Sequence, residues 1–279
     1  MNEPTICYLS SQLKKFKMES LLKFYSSDTQ ASIKKAMMLE TDISTDPIEK
    51  LKNIHYSWFY PLLEKHGDEV KQLLIANLPA QTAFALLKGY HLPKIQKIQN
   101  PFLKSVLLKM LYFHIYNRDI LQKKALPKSS LSLLELNIFQ LEQLFDFLGL
   151  YDLASELKEV LDKELILAIF KHLSSKEKSF IKECLAKKQL WSLPKIGIQT
   201  WTKEVKGFRH VLQKRGLIRF CVGLCGQHKD FIWHLMHKLD TGRAKFLEKL
   251  VQDKPIPPAT QTVITQINSL VHRLQGAKI

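Results

Sequence analysis

Asp68–Gly89 reads DEVKQLLIANLPAQTAFALLKG, Asp162–Cys184 reads DKELILAIFKHLSSKEKSFIKEC, and His228–Leu250 reads HKDFIWHLMHKLDTGRAKFLEKL. Each stretch is one unit: an apolar helix, a leucine, a short polar turn and a second amphipathic helix. The three align on the leucines before the turn, Leu78, Leu173 and Leu239. Eight positions earlier stand Val70, Leu165 and Phe231; four earlier, Leu74, Ile169 and Leu235; eight later, Leu86, Ile181 and Leu247. This is the three-and-four spacing of a helix with one apolar face. Every turn also carries a start signal for the helix that follows. Pro79 suits a first helical position, Ser174 and Ser175 precede Glu177, and Asp240 precedes Thr241. One helix pair cannot bury its own stripe, so repeated pairs are expected to stack on each other.

The rest of the chain agrees with an all-α fold of stacked helical repeats. Its 279 residues are 46% hydrophobic and 24% charged, with 10 glycines, as in ordinary globular proteins. Sustained apolar–polar alternation is nearly missing. Helical spacing recurs instead, as in Phe102, Val106, Met110 and Phe113, or Leu141, Leu144 and Leu148. An amphipathic segment is expected from Tyr8 to Tyr25 and a helix from Gln30 to Glu40, and Pro47 opens another. Trp58 and Phe59, in the densest aromatic cluster, read as core. A long helix is expected from Leu131 to Leu148 with Gly149 as its cap, and a final helix from Ala259 to Leu274. Breaks divide the chain into 1–46, N-terminal helices; 47–126, a first repeat region; 127–193, a second; and 194–279, a third with a C-terminal capping helix.

Composition also bounds the setting. Glu3 and Pro4 replace the basic start of a secretory signal, and the most apolar stretch, Leu217–Gly226, is short and holds Arg219. Cys7, Cys184, Cys221 and Cys225 lie in helical patterns and read as reduced thiols of a cytosolic protein. The net charge of +16 favours nucleic acid, anionic membrane or acidic protein as partner. The densest basic bias runs from Lys195 to Lys249.

Nothing in the chain reads as an active site. It has no GxGxxG, GxxxxGK[ST], GxSxG or HExxH motif. Cys221, Cys225 and His228 fall at i, i+4 and i+7, with His234 and His237 beyond. Zinc takes four such ligands, but Gly226 interrupts the helix between the thiols and the histidines, and the preferred reading is core cysteines beside surface histidines. No cofactor, metal site or catalytic residue is expected, and the chain reads as non-enzymatic.

The second unit, with Leu153-Ala-Ser-Glu-Leu-Lys-Glu and Leu165-Ile-Leu-Ala-Ile-Phe-Lys-His-Leu-Ser174, resembles the "LA-x-x-LK … LSNLS" helix pair of FliG flagellar rotor switch proteins. The third resembles that family's "EHPQ … ILxxLD" segment. His228, Leu235, Leu239 and Asp240 match it; Gln227 stands for its glutamate, and Lys229 and Asp230 for its proline and glutamine. Ile54–Leu63 is loosely similar to SctK-type adaptors of type III secretion sorting platforms. These resemblances imply armadillo-like helices and a non-enzymatic adaptor, cytoplasmic and peripheral at the inner-membrane face, bound to proteins of a basal-body ring. The residues expected to meet an acidic protein partner are His228, Lys229, Lys238, Arg243, Lys245 and Lys249. The alternative is a helical-repeat protein that binds nucleic acid through its basic C-terminal half.

Overall fold

A computed structural model describes residues 6, 13, 19–38, 51–93, 100–116, 120–121, 123, 126, 128–187, 191, 193–195, 197–198 and 205–276. Among them the fold is all-α, with no strand. The α-helices are α1 (Ser27–Met38), α2 (Tyr60–Leu63), α3 (Asp68–Ala76), α4 (Ala80–Tyr90), α5 (Pro101–Ile115), α6 (Lys128–Glu135) and α7 (Ile138–Leu157). They continue as α8 (Lys163–Lys171), α9 (Ser175–Ala186), α10 (Val205–Leu224), α11 (Lys229–Lys238), α12 (Thr241–Leu250) and α13 (Ala259–Gly276). Residues 47–50, where Pro47 opens a helix, and the expected N-terminal segment except Leu13 and residues 19–25, lie outside the described residues.

All six helices of the three units form, as α3 and α4, α8 and α9, and α11 and α12. Of the twelve aligned positions only Val70 is exposed, at 44%; the rest are buried. Helix α8 starts where Asp162 Oδ1 accepts the Glu164 and Leu165 amides at 2.9 and 3.2 Å. The start of α9 is a reciprocal box: Ser174 Oγ takes the Glu177 amide and Glu177 Oε2 takes the Ser174 amide at 2.7 Å. Asp240 Oδ1 accepts the Gly242 and Arg243 amides, both at 3.0 Å, at the start of α12. Pro79 sits one residue outside α4, at its N-cap.

The chain divides into two compact units, one of residues 1–134 with 229–244, the other of 135–228 with 245–279. The first unit buries Leu51, Phe59, Leu63, Ile75, Leu86 and Leu111 in one cluster with Trp233 of α11. Trp58 packs on that cluster and its indole N–H donates to the Leu239 carbonyl at 2.9 Å. Leu13, Leu22 and Ile33 make a smaller core in the same unit.

The second unit is built around α7 and α10, with α9 against α7 and α13 against both. A Cβ on Gly149 of α7 would strike the Leu212 carbonyl, and one on Gly216 of α10 would strike that of Phe145. The two backbones therefore touch, and glycine is needed at both positions. This corrects the expectation of a Leu131–Leu148 helix capped by Gly149. Helix α6 stops before Leu136, and Asn137 and Gln140 cap α7 reciprocally at 2.8 and 3.0 Å. Helix α7 then runs through Gly149 to Leu157.

Two acids of α7 and one just past its end hold the loop before α10. Asp152 Oδ1 accepts the Leu193 amide at 3.3 Å, Glu156 Oε1 accepts those of Gly197 and Ile198 at 2.9 and 2.7 Å, and Glu159 pairs with Lys195. Arg219, fully buried, donates to Asp152, to Gln266 Oε1 at 2.9 Å and to the Trp191 carbonyl at 3.0 Å. Burial pushes the Asp152 carboxyl up and the Arg219 guanidinium down, and their attraction opposes both shifts.

Candidate docking surfaces

The six residues expected to meet a partner do not fall in one compact unit. Lys229, Lys238 and Arg243 belong to the first; His228, Lys245 and Lys249 belong to the second. His228 and Lys229 are exposed at the start of α11, and Lys245 and Lys249 are exposed on successive turns of α12. Arg243 is partly exposed and pairs with Asp240 at 3.4 Å.

Lys238 corrects the expectation of an exposed cation. It is only 6% exposed, and its ammonium donates to the carbonyl of Leu134 in the last turn of α6. Carbonyls of a last turn have no partner within their own helix, so a buried lysine is satisfied there as a C-terminal cap. Its aliphatic stem is apolar enough to lie inside. His234 and His237, expected at the surface, are also buried. The His237 ring stacks between Trp233 and Trp58 at centroid distances of 3.8 and 4.0 Å. Its Nδ1 lies 2.8 Å from the Trp233 carbonyl and is therefore the protonated nitrogen. His234 Nε2 donates to the Leu121 carbonyl at 2.7 Å for the same reason. Polar groups on α11 thus find carbonyl partners within the first unit.

The cysteines are packed. Cys221 and Cys225 are buried, the Cys225 thiol donates to the Cys221 carbonyl at 3.3 Å, and burial pushes the Cys221 thiol up to about 12. Among the described residues no three His, Cys, Asp or Glu side chains converge as metal ligands.

One group of titratable residues crosses from α7 to α9 and α10. Arg209 forks onto Glu177, reaching Oε2 at 3.0 Å, and donates to the His172 carbonyl at 2.7 Å. Burial alone would raise the Glu177 carboxyl, but hydrogen bonds from Arg209 and Ser174 hold it below its usual range. Burial pushes the nearby Asp146 carboxyl up to about 6, with Arg209 and Gln213 opposing. The arrangement clamps α9 to α10.

A surface the sequence reading missed lies on α5. Asn100 caps it by accepting the Phe102 and Leu103 amides at 2.9 and 3.2 Å, and Pro101 holds its first position. Leu108, Leu111 and Ile115 turn into the core. The spaced set Phe102, Val106, Met110 and Phe113 turns outward, with Phe102 77%, Met110 62% and Phe113 66% exposed. A helix apolar on both faces is ordinarily buried on both. A charge signal accompanies it: from Val70 to Arg118 the sequence has seven Lys or Arg and no Asp or Glu. Among the described residues no helix is long and apolar enough to cross a membrane.

This chain matches no protein-family model, no curated protein and no solved structure.

Proposed function

We propose that this chain is a non-enzymatic helical-repeat scaffold. In this reading it is an adaptor, peripheral on the cytosolic face of a type III secretion or flagellar-like basal body. It links membrane-ring proteins to a cytosolic platform. The observation that carries the reading is the set of three helix pairs, whose aligned positions are buried at eleven of twelve places. The third pair carries the residues that resemble the rotor family, His228, Leu235, Leu239 and Asp240. Its two leucines are core, so the resemblance supports a fold element, and partner contact falls to the outer residues Lys229, Arg243, Lys245 and Lys249. Such rim cations act mainly on encounter rate and orientation with an acidic partner.

The test is affinity capture of the tagged chain from nuclease-treated native lysate, with retained proteins identified by mass spectrometry. Recovery of secretion-ring or export-platform proteins is expected. The double reversal R243E/K245E on α12 should cut that recovery several-fold without lowering the melting temperature. Equal recovery by variant and wild type overturns the assignment of this helix.

The exposed cations Lys245 and Lys249 also suit a second reading, nucleic-acid binding through the C-terminal half. Salt separates the two, since phosphate contacts lose affinity steeply as ionic strength rises. Nucleic acid retained at low salt and shed at high salt, with no ring protein recovered, selects the second reading.

A further inference from the structure

We infer that α5 is a membrane-surface element whose outward row inserts among the headgroups of an anionic lipid leaflet. At about 100° per residue, Phe102, Phe113, Val106, Met110 and Leu103 cover about 100° of the helix circumference. The core residues Leu108, Leu111 and Ile115 lie on the opposite side. The row extends about 16 Å, from Phe102 to Phe113. Lys109 borders one edge and His114 the other, both exposed. A long cationic side chain such as Lys109 at the border of an apolar row can keep its charge at the headgroup level. Apolar residues inward, a cation at the rim and a helix axis in the membrane plane make an interfacial helix.

Charge selects the occupant. Helices α4 and α5 lie wholly in the acid-free stretch, which also holds all but the first two residues of α3. Of the large hydrophobic residues exposed among those described, seven of sixteen fall in this stretch. A basic segment is drawn to the negative potential of anionic lipid, each nearby cation adding to the attraction. A second copy of the chain would set Lys109 against cations of the same sequence, at +16 per chain. A protein partner takes an amphipathic helix into a groove. The row on α5 is a ridge on one helix, with Phe102, Met110 and Phe113 the most exposed at 77%, 62% and 66%, and a soft interface receives a ridge without a matching groove. This contact with lipid goes beyond the protein contacts of the adaptor reading and stands or falls without them.

The test is flotation of the full chain with protein-free vesicles, either phosphatidylcholine mixed with phosphatidylserine or phosphatidylcholine alone. Wild type is expected to float with the serine lipid and far less with phosphatidylcholine. F102S/M110S/F113S should lower binding about tenfold or more with an unchanged melting temperature, because these side chains lie outside the core. K109E should weaken binding and its salt dependence together. F102W should be quenched by lipids brominated on the acyl chain beyond the quenching seen in wild type. Failure of wild type to float with phosphatidylserine overturns the inference. So does full binding by the triple-serine variant, which would mean charge alone holds the protein. A triple-serine variant that loses ring-protein capture, beside a wild type that ignores vesicles, assigns the row to a protein. Failure with vesicles leaves the lysate capture of ring proteins intact, so the two readings fail separately.

Discussion

Asp146 and Glu177 both feel the Arg209 guanidinium and shift in opposite directions. Glu177 takes hydrogen bonds from Arg209 and Ser174, so it ionises more easily than in the unfolded chain and stabilises the fold above its unfolded pKa. Asp146, pushed up to about 6 by burial, binds its proton more tightly folded than unfolded. Its contribution is therefore fully present below about pH 4 and lost as pH rises through about 6. Replacing it with asparagine keeps the shape and removes the charge. We expect D146N to be more stable than wild type at pH 7, by about 2 kcal/mol, and equal to it near pH 4. Thermal unfolding of both proteins at the two pH values checks this, and an equal gain at both would refute the titration account. The Ser174–Glu177 box was legible in the sequence because its signal is local. The burial of Lys238, His234 and His237 was not. The Leu134 and Leu121 carbonyls that receive Lys238 and His234, and the Trp58 ring that stacks on His237, come from distant parts of the chain whose approach depends on folding.

At the scale of elements, local chemistry marked helix starts well and helix continuations poorly. The pairs α3/α4, α8/α9 and α11/α12 follow from their periodicity and turn residues. The α6–α7 break was hidden because apolar spacing continues across Leu136 and Asn137 while the cap resets the backbone. The orientation of α5 was hidden for a related reason: with both faces apolar, periodicity identifies a helix without choosing its inner side. Glycine tests the packing account directly. Gly207 of α10 has open space where a Cβ would be, whereas Gly216 meets the Phe145 carbonyl. G207A is expected to stabilise by about 0.5–1 kcal/mol, since alanine restricts the unfolded chain and favours helix. G216A should destabilise by about 2 kcal/mol or more, because two touching backbones must separate. Chemical denaturation of the pair measures both. Loss of stability in G207A, or none in G216A, would mean the α7–α10 crossing is looser than described.

At the scale of the molecule, breaks in the sequence divide the chain linearly, whereas its compact units are assembled from separated segments. The first unit ends at Leu134 and takes Lys229–Ala244 from far along the chain. A linear reading has no signal for this, since α11 carries the same apolar spacing whichever core receives it. The consequence can be tested by cutting the chain. A fragment of residues 1–134 lacks Trp233 from its main cluster, and leaves the Trp58 indole N–H and the His55 amide without the Leu239 and His237 carbonyls that accept them. Losing a buried tryptophan costs about 3–5 kcal/mol, against a total of about 5–15 kcal/mol for a typical domain. We therefore expect fragment 1–134 to retain helix but melt without a cooperative transition. Joining residues 229–244 to it through a flexible glycine–serine linker should restore both the transition and the near-ultraviolet signal of the Trp58–His237–Trp233 stack. Circular dichroism in the far and near ultraviolet reads both effects. A cooperative melt of 1–134 alone would show that α11 is an accessory to that core; its recovery only on joining would show that this part of the chain folds around a helix encoded nearly a hundred residues downstream of its last segment.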